Sequence, residues 1–401
     1  MSSLKGSSAS ILLLVLWSAQ FLSAQAHIVL YSFAGGADGS GPSCSLISDS
    51  RGNLYGTTET GGTYGYGTVF KVSPGGMEKI VYSFKGYPDG ESPYAGLIID
   101  ANNNLYGTTG GGGEVQSGTV FEITSNGREK ILHSFSSLNQ DGYAPYSALV
   151  MDKQGNLYGT TAFGGTNYGG ECSGTGCGTV FKLDKSGVEE VLHNFDGYDD
   201  GAYPFAKLIM DGAGNLYGTT AAGGNQDLGV VFQLRTSGAI RIFDFRANKG
   251  GSDPAAGLVK DATGNFYGTT SRSPQNWGTV FKLTKSGKYE VLHTFTSGAD
   301  GATPYGDLLL GDDGNLYGTT SYGGSCSQYS GGCGTVFEIT ANGTEKILYS
   351  FAGDADGAFP LAGLVGDSAG NLYGTTGSGG TFNFGTVFKI TPSPRGIRLP
   401  Q

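Results

Sequence analysis

Histidine is scarce in this sequence, with four copies among 401 residues. So few leave no metal-spaced His cluster and no nucleophile–His arrangement, and no phosphate-binding loop stands in their place. No cofactor and no metal are therefore expected. Charged residues are also sparse, at 14%, and the net charge of −10 argues against a nucleic-acid partner. Long apolar runs are missing: after ILLLVLW at 11–17 nothing approaches the roughly 20 residues of a membrane span, so none is expected in the mature chain. What the chain has in quantity is glycine, 73 residues, and aromatics, 12%. That composition suits a turn-dense β protein and excludes a long-helix or disordered chain.

One segment recurs. GNLYGTT at 52–58 returns at 155–161, 214–220, 314–320 and 370–376, with NNLYGTT at 103–109 and GNFYGTT at 264–270 between them. The copies start their LYGTT or FYGTT at Leu54, Leu105, Leu157, Leu216, Phe266, Leu316 and Leu372, giving periods of 51, 52, 59, 50, 50 and 56. Such periods fit one supersecondary unit per repeat. Each unit reads as four short strands, A to D; in the second they are 96–99, 104–108, 118–123 and 130–135. A D-x-x-G-N turn joins A to B, as in Asp49 to Asn53, and a glycine turn such as Asn126-Gly127 joins C to D. Seven four-stranded antiparallel units predict a seven-bladed β-propeller, all-β.

The ends carry the test of that prediction. D-type strands occur at 28–33, 80–84, 131–135, 191–195, 240–245, 291–295 and 347–351, and the first precedes the first A strand. After the last C strand, 385–390, the chain runs out as TPSPRGIRLPQ. Seven D strands balance seven A-B-C sets only if the N-terminal D strand, 28–33, completes the last blade. A glycine inside each B strand (Gly56, Gly107, Gly159, Gly218, Gly268, Gly318, Gly374) costs stability unless something approaches closely. The expectation is that neighbouring sheets do so, with the adjacent Tyr and the Phe of each GTVF filling the wider layers between blades.

The pattern D-x-x-G-N-L-Y-G-T-T, a G-G loop, then G-T-V-F-K-[LIV], over roughly 27–391, resembles the Gloeo/Verruco (GloVer) tandem repeat of secreted bacterial proteins. G-N-L-Y is also similar to NHL and SMP-type propellers. The resemblance implies export and often a C-terminal surface anchor, and the family has no established biochemical activity to carry over. Lys5, the apolar run at 11–17 and Ala24-Gln25-Ala26 fit a secretory signal over 1–26. The tail, 392–401, has no apolar sorting helix, so the expected fate is free secretion or periplasmic residence as a monomer.

Five cysteines remain to be placed. Cys172 and Cys177 lie in the B–C loop of the third repeat, Cys326 and Cys333 in that of the sixth, and in an exported chain they read as two local disulfides. Cys44 is left as a small buried residue at the start of strand A. His133, His193 and His293 stand where other repeats have Tyr31, Tyr82, Phe243 and Tyr349, which reads as an aromatic packing position.

If A to D run from axis to rim, the long D–A and B–C connections share one face. Aromatics gather there: Tyr87, Tyr94, Tyr143, Tyr146, Tyr198, Tyr203 and Tyr305 in D–A loops, and Tyr64, Tyr66, Tyr168, Trp277, Tyr322, Phe382 and Phe384 in B–C loops. Exposed rings beside polar groups suit sugars, and long loops on a rigid scaffold are where binding resides; the competing reading is that the rings pack their own glycine-rich loops. Six D–A loops carry an Asp-Gly pair (Asp38, Asp89, Asp141, Asp200, Asp300, Asp356), replaced by Gly250-Gly251 in the fifth repeat. One carboxylate per blade is too dispersed for a single Ca²⁺ site and reads as a turn pair. The fifth repeat breaks the symmetry most, with Lys249, Asp253, Arg272, Asn276 and Trp277. Lys207, Lys260 and Asp307 are irregular charges on A strands that face the channel on this reading. Two function classes follow: a secreted binding propeller for a polysaccharide or protein partner, with Tyr87, Tyr143, Tyr198, Tyr322 and the fifth-repeat residues as ligand candidates, or a propeller lyase, hydrolase or lactonase. The absence of clustered acid-base residues favours binding, with no catalytic residue assigned.

Overall fold

The structure, a computed structural model, describes residues 26–391 except 138–139, 169–171, 239, 247–249 and 273–276. All regular elements among these are strands, arranged as seven four-stranded antiparallel sheets. Blade 1 consists of strands A (Ile47–Ser48), B (Leu54–Thr58), C (Thr68–Val72) and D (Glu78–Ser83), hydrogen-bonded in that order. In blade 7 strands A (Val365–Gly366), B (Leu372–Thr376) and C (Thr386–Thr391) come from the end of the chain and D (Ala26–Ser32) from its beginning. Ala26 pairs with Thr391 and Ser32 with Thr386, so the expected closure of the ring by the N-terminal strand is the one observed. The A strands are shorter than the four residues the sequence pattern suggests. In blade 2 only Ile98 and Ile99 stay in register with strand B, while Gly96 lines the axial channel and Leu97 is buried in the core beside Gly107.

The recurring G-T-T is explained by contacts that differ from those expected. Gly56 sits opposite Phe70 of its own blade. A Cβ there would lie 2.6 Å from Cζ of Phe70 and 2.9 Å from Cδ2 of Leu46. The glycine thus makes room for a ring from the same sheet, not for the neighbouring sheet, because Phe70 folds back over the strand beside it. Phe70 in turn meets Phe33, at the end of strand D of blade 7, edge to face at 5.0 Å. The same T-shaped pair occurs at all seven seams, with centroids 5.0–5.3 Å apart.

Each threonine has its own partner. Thr57 donates its hydroxyl to the Ala95 carbonyl of the next blade at 3.1 Å, and Thr58 bonds Thr68 across its own sheet at 2.8 Å. The inter-blade bond repeats around the ring and ends with Thr375 donating to the Cys44 carbonyl, which ties blade 7 to blade 1. Cys44 is buried, as expected, and its Sγ accepts the Thr57 amide. Glycine of GTVF is equally constrained: a Cβ on Gly67 would stand 2.6 Å from Cδ of Pro93 in blade 2, and one on Gly385 would meet Pro42 likewise.

Both turn families are clasped by carboxylates. Asp49 accepts the amides of Arg51 and Asn53, the Asn53 side-chain amide and the Tyr55 hydroxyl. Burial works against the Asp49 charge, but these donors outweigh it and hold its carboxyl below the usual range. At the D–A loops, Asp38 accepts the Tyr31 hydroxyl at 2.9 Å and Asp200 faces His193 Nε2 at 2.6 Å. In five blades the Tyr/His ring therefore bonds the loop carboxylate as well as packing, which adds to the expectation from the sequence, while His293 Nε2 stands 3.6 Å from Asp300 without a hydrogen bond. Where Gly250 replaces the Asp, the strand residue is Phe243, which has nothing to donate.

Candidate functional site

The D–A and B–C loops do share a face, and they are knitted to each other by backbone bridges such as Ser40 with Thr60 and Ala302 with Tyr322. Within this face lies the axial channel. One repeat position, just ahead of strand A, faces it: Ser45, Gly96, Ala148, Lys207, Asp307 and Gly363 line it, and the seventh, Gly257, lies covered by Lys207 and Asp307. Five of these are small, so the two that are not can reach across the axis. Lys207 Nζ stands 2.9 Å from Asp307 Oδ2, spanning blades 4 and 6 over the intervening Gly257. The Gly257 amide donates to the other Asp307 oxygen, and the Gly363 amide to Ser45 Oγ. A Cβ on Gly257 would lie 2.7 Å from Asp307 Oδ1, so glycine is what lets the carboxylate lie flat there.

This ion pair borders two cavities. The one toward the loop face is a cup of about 400 Å³ whose wall includes Tyr94, Tyr146, Phe205 and Tyr305. These four occupy one repeat position, the residue after the loop proline, where blades 1, 5 and 7 have Ser43, Ala255 and Leu361. The other cavity, of about 550 Å³, opens between the A strands and includes Lys260, whose ammonium lies 5.0 Å from the Tyr217 ring and 5.4 Å from that of Phe266. The expectation that Lys207, Lys260 and Asp307 face the channel holds for all three.

In the cup, Tyr94 meets Tyr146 edge to face at 5.3 Å, and its hydroxyl donates to Glu59 at 2.8 Å. Burial, then the Glu59 bond, pushes the Tyr94 phenol up, so it stays a neutral donor. On the opposite side burial, then Asp253 and Tyr322, raise Tyr305 in the same way. The site thus combines apolar ring faces with fixed donors and acceptors, a lining that accommodates a polar ligand with apolar faces.

The candidates named from the sequence divide. Asp253 and Arg272 face each other at 3.7 Å beside Tyr305, and Ser271 donates to Asp253 at 2.7 Å. Asp253 has φ +58°, a strained conformation before a proline, but Ser92, Ala144, Tyr203, Thr303 and Phe359 share it at the same position. The strain belongs to the repeat and marks no special residue. Tyr143 stacks on Phe163 at 5.4 Å, and Tyr322 packs against Phe359 at 5.4 Å, so both belong to ring clusters around the mouth. Tyr87 and Tyr198, 65% and 60% exposed, sit on the outer segments of their loops and do not line the cup. Trp277 occupies the position before GTVF that Tyr66 and Phe384 hold in other blades; there Tyr66 covers Gly86 and Phe384 covers Gly35, so those two rings pack their own loops. Lys249 and Asn276 lie outside the described residues. Sequence reasoning placed Tyr94, Tyr146 and Tyr305 on this face but did not single them out, and Phe205 was missed; their shared place after the proline was the signal.

Cys172–Cys177 and Cys326–Cys333 form the two disulfides expected in the B–C loops. No helix among the described residues is long and apolar enough to cross a membrane.

The sequence model of the Gloeobacter/Verrucomicrobia repeat matches residues 21–173, 168–330 and 209–399. The chain belongs to that family. No curated protein matches it. Among solved structures, this Gloeobacter/Verrucomicrobia repeat protein resembles the extracellular domain of a hybrid two-component system, BT3049, from B. thetaiotaomicron, at 14% identity and TM-score 0.57 over 91% of this chain and 41% of that one. The extracellular domain of the one-component system BT4673 from the same organism aligns at 12% identity and TM-score 0.57, over 91% and 40%. A gluconolactonase from Xanthomonas campestris covers 93% of this chain and 91% of its own at 12% identity and TM-score 0.45. The repeat protein spans about two fifths of the two B. thetaiotaomicron chains. At these identities the likeness is one of fold alone.

Proposed function

We propose that this protein is an exported carbohydrate-binding propeller that seats sugar in the axial cup of its loop face. The observation that carries the reading is the ring wall of Tyr94, Tyr146, Phe205 and Tyr305 around the Lys207–Asp307 pair. Sugar rings stack their C–H faces on aromatic side chains, and their hydroxyls need both donors and acceptors. Lys207, the Tyr94 and Tyr305 hydroxyls and Asp307 offer both within one cup. Export fits the two disulfides, since such bonds persist in oxidising compartments. A leader over 1–26 and a propeller unit over 27–391 complete this reading.

A glycan array with the disulfide-intact protein, followed by calorimetry on the best hit, tests it. Tyr146→Ala and Tyr305→Ala are each expected to weaken that hit about tenfold, as removal of a binding ring does elsewhere. Undiminished retention by the double variant would refute the cup as the site. The Asp253–Arg272 pair at the rim is the one feature that favours chemistry over binding. Product release from a retained glycan, abolished by Asp253→Asn, would replace the binding reading with an enzymatic one.

A further inference from the structure

On the opposite face, four blades pair opposite charges across their outward rows, blades 4 and 7 set one cation against a neutral residue, and blade 1 sets two cations against each other. The Tyr of strand B, the fourth residue of strand C and the second residue of strand D are direct cross-strand neighbours. In blades 2, 3, 5 and 6 the last two are Glu122 with Lys130, Lys182 with Glu190, Lys282 with Glu290 and Glu338 with Lys346, each pairing opposite signs. In blade 1 they are Lys71 and Lys79. Like charges placed directly opposite are unfavourable, so this row is the one repeat that carries an uncompensated positive pair.

A third cation joins them. Arg51 stands in the A–B turn of blade 1, a turn in which no other blade has arginine. Together with turn residues of blade 2, including Ser125 and Asn126, the three cations line a groove of about 440 Å³ between blades 1 and 2. The one carboxylate in that lining, Asp49, is engaged by four donors of its own turn. Among the described residues none of the three cations forms an ion pair with a carboxylate. On a chain of net charge −10 this is a local concentration of positive charge with hydroxyl and amide groups facing it.

We infer that the groove between blades 1 and 2 is a binding site for a small ligand bearing a sulfate or phosphate ester. The oxyanion bridges Lys71 and Lys79, supplying the negative charge that a Glu supplies in four other blades, and Arg51 offers a planar fork to the same group. The remainder of the ligand lies against the Tyr55 side and the Ser125–Asn126 turn. The site is separate from the axial cup, and its argument does not depend on the proposed function.

Nuclear magnetic resonance titration of the full chain with glucose 6-sulfate, glucose 6-phosphate and unsubstituted glucose tests the inference, at low and then at raised ionic strength. One or both esters are expected to shift resonances of the blade 1 row, with affinity falling as salt screens the groove, and unsubstituted glucose is expected to leave that row unmoved. The ester that binds more tightly identifies the source of the oxyanion. Lys79→Glu recreates the opposite-sign pair of the other blades, so it keeps the fold, and it is expected to lower ester affinity at least about tenfold. Arg51→Gln is expected to weaken binding to a smaller degree, while Tyr146→Ala in the cup leaves it unchanged. Failure of both esters to shift the row, or ester binding by Lys79→Glu within twofold of the parent chain, would overturn the site.

Discussion

A single methyl group added at Gly56 tests how the blades are joined. The new Cβ would lie 2.6 Å from Cζ of Phe70, whereas a relaxed carbon–carbon contact is about 3.5–4.0 Å, so the ring must retreat by about 1 Å. Retreat is blocked on one side by Leu46, whose Cδ2 would be 2.9 Å from the methyl, and Phe33 stands edge-on to the ring across the seam to blade 7. All three side chains are buried. Overpacking of this kind costs about 1–3 kcal/mol, and replacing a strand glycine recovers about 0.5–1 kcal/mol of backbone entropy. Gly56→Ala is therefore expected to lose roughly 0.5–2 kcal/mol in urea denaturation, the difference of those two terms.

The mechanism predicts more than a sign. Phe70→Leu removes the ring edge that the methyl strikes, so the double variant is expected to lose less than the sum of the singles, by about 1 kcal/mol of coupling. Gly218→Ala, where the methyl would meet Phe232 at 2.6 Å and Leu208 at 2.9 Å, is expected to behave as Gly56→Ala does. A neutral or stabilising Gly56→Ala, or strict additivity with Phe70→Leu, would refute the argument.

Three further expectations follow from the same seams. Thr375→Val leaves the buried Cys44 carbonyl without its donor and is expected to cost about 1–3 kcal/mol, matched by Thr219→Val at the seam between blades 4 and 5, as denaturation midpoints will show. His193→Phe strips Asp200 of its side-chain donor and destabilises, but His193→Phe with Asp200→Gly reproduces the native Phe243–Gly250 combination and is expected to recover most of the loss in a thermal melt. Burial, aided by the facing Asp38, Asp89 and Asp300, pushes the carboxyls of Glu78, Glu129 and Glu345 up to about 7. At these three groups the folded chain thus holds protons that the unfolded chain releases near pH 4.5, so their contribution to stability is full below that value and is lost as pH rises toward about 7. Calorimetry between pH 5 and 8 checks the slope, which Glu→Gln at the three sites is expected to flatten.

The ring was legible because its evidence is local. Seven copies of LYGTT or FYGTT, the D-x-x-G-N turn and a D strand with no preceding A strand can each be counted along the chain, and the pairing of the N-terminal strand with the last C strand follows from that count. The roles of the two threonines were not legible. Thr57 reaches a backbone carbonyl 38 residues away in the next blade, and a carbonyl carries no side-chain signature. The glycine was attributed to the wrong neighbour for a related reason: a strand pattern says which residues oppose each other, but not that Phe70 folds over Gly56. The histidines do pack as aromatic rings, edge to face on the Phe two residues on, but the carboxylate partner of His133 and His193 was missed because strands and loops were compared separately. Set side by side, Phe243 and Gly250 vary together and reveal the bond that five other blades make.

Where the repeat is faithful, its polar groups are consumed by the scaffold: the turn aspartates hold Asn and Tyr, the loop aspartates hold Tyr or His, and the threonines hold the next blade. A residue so engaged has little left to offer a ligand. Free chemistry must therefore reside where the copies diverge, and the structure divides those places into two kinds. At the axis, Lys207 and Asp307 diverge together and neutralise each other across the small residues around them. At blade 1 the divergence is the combination of Lys71 with Lys79, each of which recurs alone in other blades, together with Arg51, and no carboxylate compensates it. Compensated divergence maintains a shaped, electrically quiet cup, suited to a neutral sugar held by ring faces. Uncompensated divergence costs the fold stability, since the like-charge pair repels, and the oxyanion inferred for the groove would relieve that cost.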